Sequence, residues 1–222
     1  MTDLTDLAIL PATNESWQLL AQDEDLLVVY KPAQLLTVPG RHPKNRDCLI
    51  SRVQLEFPGA QVVHRLDYDT SGIVLLPLNK RALSHLSKQF QARTIEKYYQ
   101  ALVTGEMPLQ GEIDLPIAPD AEHRPLYKIC QRSGKPSRTL FQRLHYDVEQ
   151  NVSRVQLEPV TGRSHQLRLH LASLGHPILG DEFYAPEPVR QAAKRLCLHA
   201  CQIRFQHPAC GEWCQYEFAA PF

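Results

Sequence analysis

The sequence lacks the features of a secreted or membrane protein. No window of 18 residues is predominantly apolar, which excludes a typical membrane-spanning helix. The first 30 residues contain six acids and no Lys or Arg, whereas a secretory signal begins with basic residues. The overall composition, 43% hydrophobic and 22% charged, is ordinary for a globular protein. We therefore expect a cytoplasmic protein that does not enter a membrane.

Common cofactor motifs are also missing. Neither Gly-x-x-x-x-Gly-Lys-Ser/Thr nor His-Glu-x-x-His occurs in the chain. Cys197, Cys201, Cys210 and Cys214 have a spacing that suggests zinc at first sight. Residues 196–205 read as a strand, however, in which positions four apart are separated by about 13 Å, too far to share one tetrahedral ion. Cysteines in the core or at a sheet edge are the favoured interpretation, and zinc is the lesser alternative.

The hydrophobic pattern predicts an α+β fold. Apolar and β-branched runs indicate several strands joined by hairpins, and strands and helices do not alternate regularly. This argues against a doubly wound parallel sheet. We expect a mixed, mainly antiparallel sheet flanked by helices and loops. Strands are predicted at 26–30, 97–104, 139–146, 152–159, 196–205 and 213–218, and helices at 48–57, about 81–93 and about 165–174.

The domain organisation is predicted to be simple. Residues 1–20 are expected to form a loosely structured leader, and residues 21–222 a single domain without an internal repeat. Beyond the first 30 residues, 24 basic residues face 18 acidic ones, a balance of +6 that is compatible with RNA binding but is weak evidence for it. Some basic residues in loops could bind phosphates or could only solvate the surface, and both interpretations stay open: Lys44, Arg46, Arg124, Lys128, Lys135 and Arg138.

One polar loop between two apolar runs carries most of the chemistry. Its residues 64–72 are His-Arg-Leu-Asp-Tyr-Asp-Thr-Ser-Gly. In an extended segment Arg65 and Asp67 would project from the same face, and a guanidinium beside a carboxylate keeps the acid ionised, as a nucleophile or general base requires. Asp, Ser and Gly are equally common in ordinary turns, so composition alone leaves a turn and an active site as alternatives.

The same nine residues resemble the His-Arg-Leu-Asp-x-x-Thr-Ser-Gly signature of the RluA family of pseudouridine synthases, with every specified position matched. The resemblance extends from about residue 20 to the end of the chain. Other segments that resemble motifs of this family are 25–32, 97–101, 162–168, 175–181 and 198–200. It implies the pseudouridine synthase catalytic fold, here without a basic S4 domain ahead of it.

The resemblance also implies a reaction and its residues. A uridine is flipped out of the RNA and becomes pseudouridine, with neither metal nor organic cofactor. Asp67 would be the catalytic carboxylate, as nucleophile or as proton acceptor, and Arg168 would pair with it and keep it charged. Tyr99 would stack on the uracil and offer its hydroxyl for proton transfer. Arg65 would fill the gap in the RNA or hold its phosphates, and Leu198 would line the pocket.

The family resemblance implies RNA partners as well, namely the tRNA anticodon stem-loop and 23S rRNA, and we expect a monomer. Two alternatives compete with this function. Asp67-x-Asp69-x-Ser71 approaches the Asp-x-Asp-x-Thr loop of aspartyl phosphotransferases of the haloacid dehalogenase type, although His64 and Arg65 interrupt the apolar strand that should precede it. A non-catalytic RNA-binding or ribosome-assembly factor could use the same fold, although it would be expected to have lost a catalytic residue.

Overall fold

A computed structural model describes residues 8–222, and this range contains eleven strands and four helices. In chain order they are β1 (Gln18–Gln22), β2 (Leu26–Lys31), α1 (Leu49–Val53), β3 (Ser71–Pro77), α2 (Lys80–Ala92), β4 (Glu96–Thr104), β5 (Gln110–Asp114), β6 (Ile117–Pro119), β7 (Tyr127–Ile129), β8 (Arg138–Asp147), β9 (Val152–Pro159), α3 (Gln166–Ser173), α4 (Glu187–Gln191), β10 (Leu198–Gln206) and β11 (Trp213–Glu217). The pairings within β1–β3, β4–β9–β8–β5, β6–β7 and β10–β11 are all antiparallel.

The described chain forms two compact units, residues 8–96 with 202–219 and residues 97–201 with 220–222. The interpretation of residues 21–222 as one catalytic domain stays a prediction. The expected leader lies partly outside the described range, and its last residues, from Gln18 onward, belong to β1 instead of a loose segment. Among residues 8–222, none of the helices has the length and apolar character needed to cross a bilayer.

The first unit is organised around β2, whose six residues are all buried. It lies between β1 and β3, with Leu26 opposite Pro77 and Lys31 opposite Gly72. A strand whose side chains are apolar on both faces can pack against other elements on both faces. The continuous apolar sequences of β2 and β3 agree with this arrangement. One face packs on α2, which starts where the side chain of Asn79 accepts a hydrogen bond from the Ala82 N–H at 2.9 Å, a cap that contributes about 1 kcal/mol.

The second unit contains four consecutive antiparallel strands in the order β4–β9–β8–β5. Along β9, buried and half-buried residues alternate strictly, so one face meets the core. That core contains Val103, Val155, Leu157 and Leu171 among others, and α3 contributes to it. The predicted hairpin of residues 139–146 and 152–159 is confirmed as β8 and β9.

Residues 115–137 connect β5 to β8 and form a segment rich in Pro. Its strands β6 and β7 pair with Ile117 opposite Ile129, and the Ile117 and Lys135 backbones exchange two hydrogen bonds of 3.0 and 2.8 Å. The α+β class with a mixed, mostly antiparallel sheet is confirmed by the strand pairings and by the solved structures compared below.

Candidate active site

Asp67 lies in a loop just before β3, half-buried and with its main chain fixed on both sides. The buried Leu66 donates its N–H to Thr37 Oγ1 (3.1 Å), and the same hydroxyl donates to the Leu66 carbonyl (2.9 Å). The Thr70 N–H closes the turn on the Asp67 carbonyl at 3.2 Å. Because its neighbours are tied to the core, the Asp67 carboxylate is presented from an ordered loop.

A buried cation that sequence reasoning missed supports this loop. Lys31, the last residue of β2, is fully buried, and its Nζ donates to the carbonyls of Pro32 (2.8 Å), Leu35 (2.7 Å) and Tyr68 (3.3 Å). Since Tyr68 follows Asp67 directly, the ammonium ties β2 to the signature loop. The Tyr68 hydroxyl in turn donates to the Pro11 carbonyl (2.5 Å), and burial, with a smaller effect of the nearby Asp69, raises the pKa of Tyr68.

Arg65 does not act as the sequence spacing suggested. Residues 64–67 belong to no strand, so the alternation of strand side chains does not bring Arg65 and Asp67 together. Arg65 is exposed, and within residues 8–222 its guanidinium forms no ion pair. The expected ion pair between Arg65 and Asp67 is therefore not formed, whereas the expected contact of Arg65 with RNA stays a prediction.

Arg168, on α3, is held by a buried carboxylate that sequence reasoning did not single out. Its Nε donates to Asp181 Oδ2 (2.9 Å) and its Nη2 to Asp181 Oδ1 (2.5 Å), and both side chains are only 1% exposed. Asp181 Oδ1 also accepts the N–H groups of Phe183 (2.8 Å) and Tyr184 (3.2 Å). The guanidinium carbon lies 4.7 Å from the centroid of the Phe183 ring and 5.5 Å from that of Tyr184. Asp181 therefore fixes both the orientation of Arg168 and the loop around it.

Tyr99 and Leu198 belong to the same hydrophobic cluster of the second unit. Tyr99 is half-buried on β4 opposite Leu157 of β9, and Leu198 is buried at the start of β10. Asp67 and Arg65 lie in the first unit, and the other three predicted residues in the second. The pairing of Arg168 with Asp67 and the pocket roles of Tyr99 and Leu198 stay predictions.

Four histidines in or near the signature motifs have structural contacts. His64 Nε2 accepts the Leu75 N–H of β3 at 2.9 Å. His170, fully buried, lies between Thr139 Oγ1 (2.9 Å) and the Leu115 carbonyl (3.0 Å), and burial lowers its pKa below the ordinary 6.5. The remaining contacts are His165 Nδ1 with Tyr184 Oη at 2.8 Å and His176 Nδ1 with the Thr104 carbonyl at 2.9 Å.

The basic loop residues divide into two sets. Lys128 and Arg138 form ion pairs with Asp120 (3.1 Å) and Glu112 (2.7 Å). The others are exposed, and their side chains have no hydrogen bond or ion pair within the described range: Lys44, Arg46, Arg124 and Lys135. Only this second set could bind phosphates without first breaking an ion pair.

The structure does not support two alternative interpretations, a phosphotransferase loop at Asp67 and a zinc site at the C-terminal cysteines. Asp67 precedes the antiparallel strand β3 and follows no strand directly, whereas a phosphotransferase loop should follow a buried parallel strand. Among the C-terminal cysteines, Cys197 and Cys201 are buried next to or within β10, which agrees with a strand. In the described part of the chain, the single group of three residues that could jointly hold a metal contains no cysteine and is formed by Asp120, Glu122 and His123.

Comparison with known proteins identifies the class of the enzyme. Residues 25–173 match the family of RNA pseudouridylate synthases. The match includes the loop of Asp67, the strand of Tyr99 and the helix of Arg168. The fold and these motifs together define a pseudouridine synthase, an isomerase.

Comparison with individual proteins identifies the family within the pseudouridine synthases. A Pasteurella multocida (strain Pm70) protein named "Dual-specificity RNA pseudouridine synthase RluA" is 46% identical over 212 residues, 95% of each chain. The protein of the same name from Escherichia coli (strain K12) is 44% identical over 210 residues, 94% of this chain and 95% of that one. The solved structure of Human RNA Pseudouridylate Synthase Domain Containing 1 has a TM-score of 0.79 and 31% identity, and the match covers 96% of this chain and 86% of that one. The chain belongs to the RluA family of pseudouridine synthases.

Proposed function

We propose that this synthase modifies two kinds of RNA, a uridine in the tRNA anticodon stem-loop and one in 23S rRNA, with Asp67, Tyr99 and Arg168 as catalytic residues. The observation that carries the assignment of Asp67 is the complete signature loop, whose main chain is fixed by Thr37 and Lys31. The dual target is supported by the relatives named above, which are called dual-specificity enzymes.

The proposed reaction begins with base flipping, since a stacked uridine is out of reach. Asp67 then acts on the ribose or the base, as nucleophile or as proton acceptor. The bond between C1′ and N1 breaks, a bond between C1′ and C5 forms, the C5 proton leaves to solvent and N1 gains a proton. The product is an isomer of the substrate, so no redox partner is needed.

Each other residue has a role in this scheme. Arg168 is the proposed partner of Asp67, and the orientation of its guanidinium is fixed by Asp181. Tyr99 stacks on the flipped uracil and provides a hydroxyl for proton transfer. Leu198 lines the pocket with apolar surface, and the exposed Arg65 occupies the gap in the RNA or contacts its phosphates.

Two different RNAs are recognised through the shape that their loops adopt on binding, because sequence-specific RNA recognition targets unpaired and splayed bases. We expect a monomer to suffice, acting in the cytoplasm where tRNA and rRNA substrates meet it.

The test is tritium release from C5 of uridine in transcripts of an anticodon stem-loop and of a 23S rRNA fragment. Wild type is expected to release tritium from both, and Asp67→Asn from neither while it still binds RNA. Asp69→Asn is the matched control, since it changes a neighbouring carboxylate of the same loop and should keep activity. Equal release by wild type and Asp67→Asn would contradict the assignment of Asp67. Binding without release by wild type would favour the non-catalytic RNA-binding factor.

A further inference from the structure

Phe183 is an exposed aromatic residue that is held in a fixed position. Its N–H donates to Asp181 Oδ1 at 2.8 Å, and its ring lies against the Arg168 guanidinium at 4.7 Å. The ring of His165 lies 5.4 Å away, tilted, and the ring of Tyr184 meets it edge-on at 6.3 Å. Even so, Phe183 keeps 37% of its surface exposed.

The exposure of Phe183 leaves part of its ring without apolar packing. A phenyl side chain gains stability when its surface leaves water, by about 25 cal/mol per Å² of apolar area, so an exposed Phe forgoes part of that gain. Flexible exposed rings are ordinary, but Phe183 is attached through its main chain to a buried carboxylate and covers a guanidinium that is only 1% exposed. The result is a preorganised apolar surface that borders the Arg168 site.

We propose that Phe183 is a stacking platform for an unpaired nucleobase of the RNA substrate. The inference rests on the proposed function, because it is Arg168 that connects Phe183 to the catalytic site. RNA-modifying sites hold splayed bases by stacking them on aromatic rings and guanidinium planes, and Phe183 offers a ring already supported by a guanidinium beneath it. The base concerned is not the flipped uracil itself, since Tyr99 is the residue proposed to stack on the uracil.

The experiment combines a ring deletion with base deletions. Phe183→Leu removes the ring and keeps an apolar side chain, and Phe183→Trp keeps an aromatic platform. Trp213→Leu is the matched control, because Trp213 is also exposed (48%) and also covers a guanidinium, that of Arg204 at 4.4 Å, but has no assigned role. Binding is measured at constant salt with whichever transcript wild type binds more tightly, intact or with one abasic nucleotide at each loop position.

For the intact RNA, Phe183→Leu is expected to weaken binding by about 5- to 150-fold, the loss that corresponds to alanine substitution of an aromatic residue that stacks on a base. Phe183→Trp and Trp213→Leu should bind like wild type. Removal of the base at one loop position should weaken wild type by a similar factor and leave Phe183→Leu nearly unaffected.

Other outcomes would overturn the proposal. Binding of Phe183→Leu within twofold of wild type, or a loss that no single base deletion shares, would exclude a stacking role. A lower melting temperature with a lower turnover rate but unchanged binding would make Phe183 a cover for Arg168. The experiments test the proposed function and the stacking role of Phe183 independently. If wild type releases no tritium, but one base deletion weakens wild type and not Phe183→Leu, the proposed function is wrong and the stacking role is supported.

Discussion

The buried pair of Arg168 and Asp181 permits a quantitative prediction. Asp181→Ala removes the carboxylate that neutralises a guanidinium with 1% exposure, and removal of one partner from a buried ion pair costs about 3–5 kcal/mol. The N–H groups of Phe183 and Tyr184 lose their acceptor in the same variant, which adds to the loss. We expect the free energy of unfolding, measured by urea titration followed by circular dichroism, to fall by at least 3 kcal/mol, as estimated from the same principle.

An exposed ion pair provides the control. Arg143 and Glu106 approach to 2.7 Å, but the Glu106 side chain is 60% exposed, so Glu106→Ala should cost about 0–1 kcal/mol. The double variant Arg168→Met, Asp181→Leu removes both charges and should recover part of the stability lost in Asp181→Ala, although not the activity. A loss below about 1 kcal/mol in Asp181→Ala would refute the reasoning, because it would mean that the pair is not desolvated.

Three further predictions concern the loop supports and the buried histidine. Lys31→Met leaves the Pro32 and Leu35 carbonyls without their buried donor and removes one of two donors to the Tyr68 carbonyl, so it should cost about 1–3 kcal/mol in urea unfolding, with slower tritium release. Thr37→Val removes both hydrogen bonds to Leu66 and should cost about 1–3 kcal/mol, whereas Thr37→Ser should keep most of the stability. Because burial lowers the pKa of His170, the unfolded chain binds more protons than the folded one below about pH 6.5, so stability should fall as pH drops from there towards the folded pKa, and His170→Gln should show a shallower slope.

Each of these has a clear contrary result. Unchanged unfolding of Lys31→Met would mean that water replaces the ammonium. A loss in Thr37→Ser with none in Thr37→Val would point to packing of the methyl group instead of the hydroxyl, because valine keeps the methyl and serine keeps the hydroxyl. A pH slope unaffected by His170→Gln would assign the acid sensitivity to other groups.

Local sequence patterns predicted the strands and helices whose formation depends on residues close together in the chain. The unbroken apolar run of β2, the cap at Asn79 and the alternation along β9 each identify their element within a few residues. Strand β1 was missed because its residues are only half-buried or exposed, so an edge strand resembled a loose leader. The three-residue strands β6 and β7 form through pairing with distant residues, for which the sequence carries no periodic signal.

The sequence predicted the site residues that belong to recognisable motifs. It did not predict those whose roles depend on tertiary contacts. The signature loop and the helix of Arg168 were found from their residue strings. Asp181 was seen only as part of a motif, because its pairing with Arg168, 13 residues earlier, depends on how the loop folds back after α3. Lys31 directly follows the predicted strand 26–30, and nothing in the local sequence shows that its ammonium binds three carbonyls.

The division of the chain has a consequence for synthesis on the ribosome. Residues after 201 complete both units: Ile203 and Phe205 enter the core of the first, and Phe222 packs against the core of the second, where its carbonyl accepts a hydrogen bond from Arg154 at 2.7 Å. Domains usually fold as they emerge, from the amino terminus onward. Here neither core is complete before residues 202–222 have been synthesised, so a nascent chain that stalls before residue 202 lacks part of both cores at once.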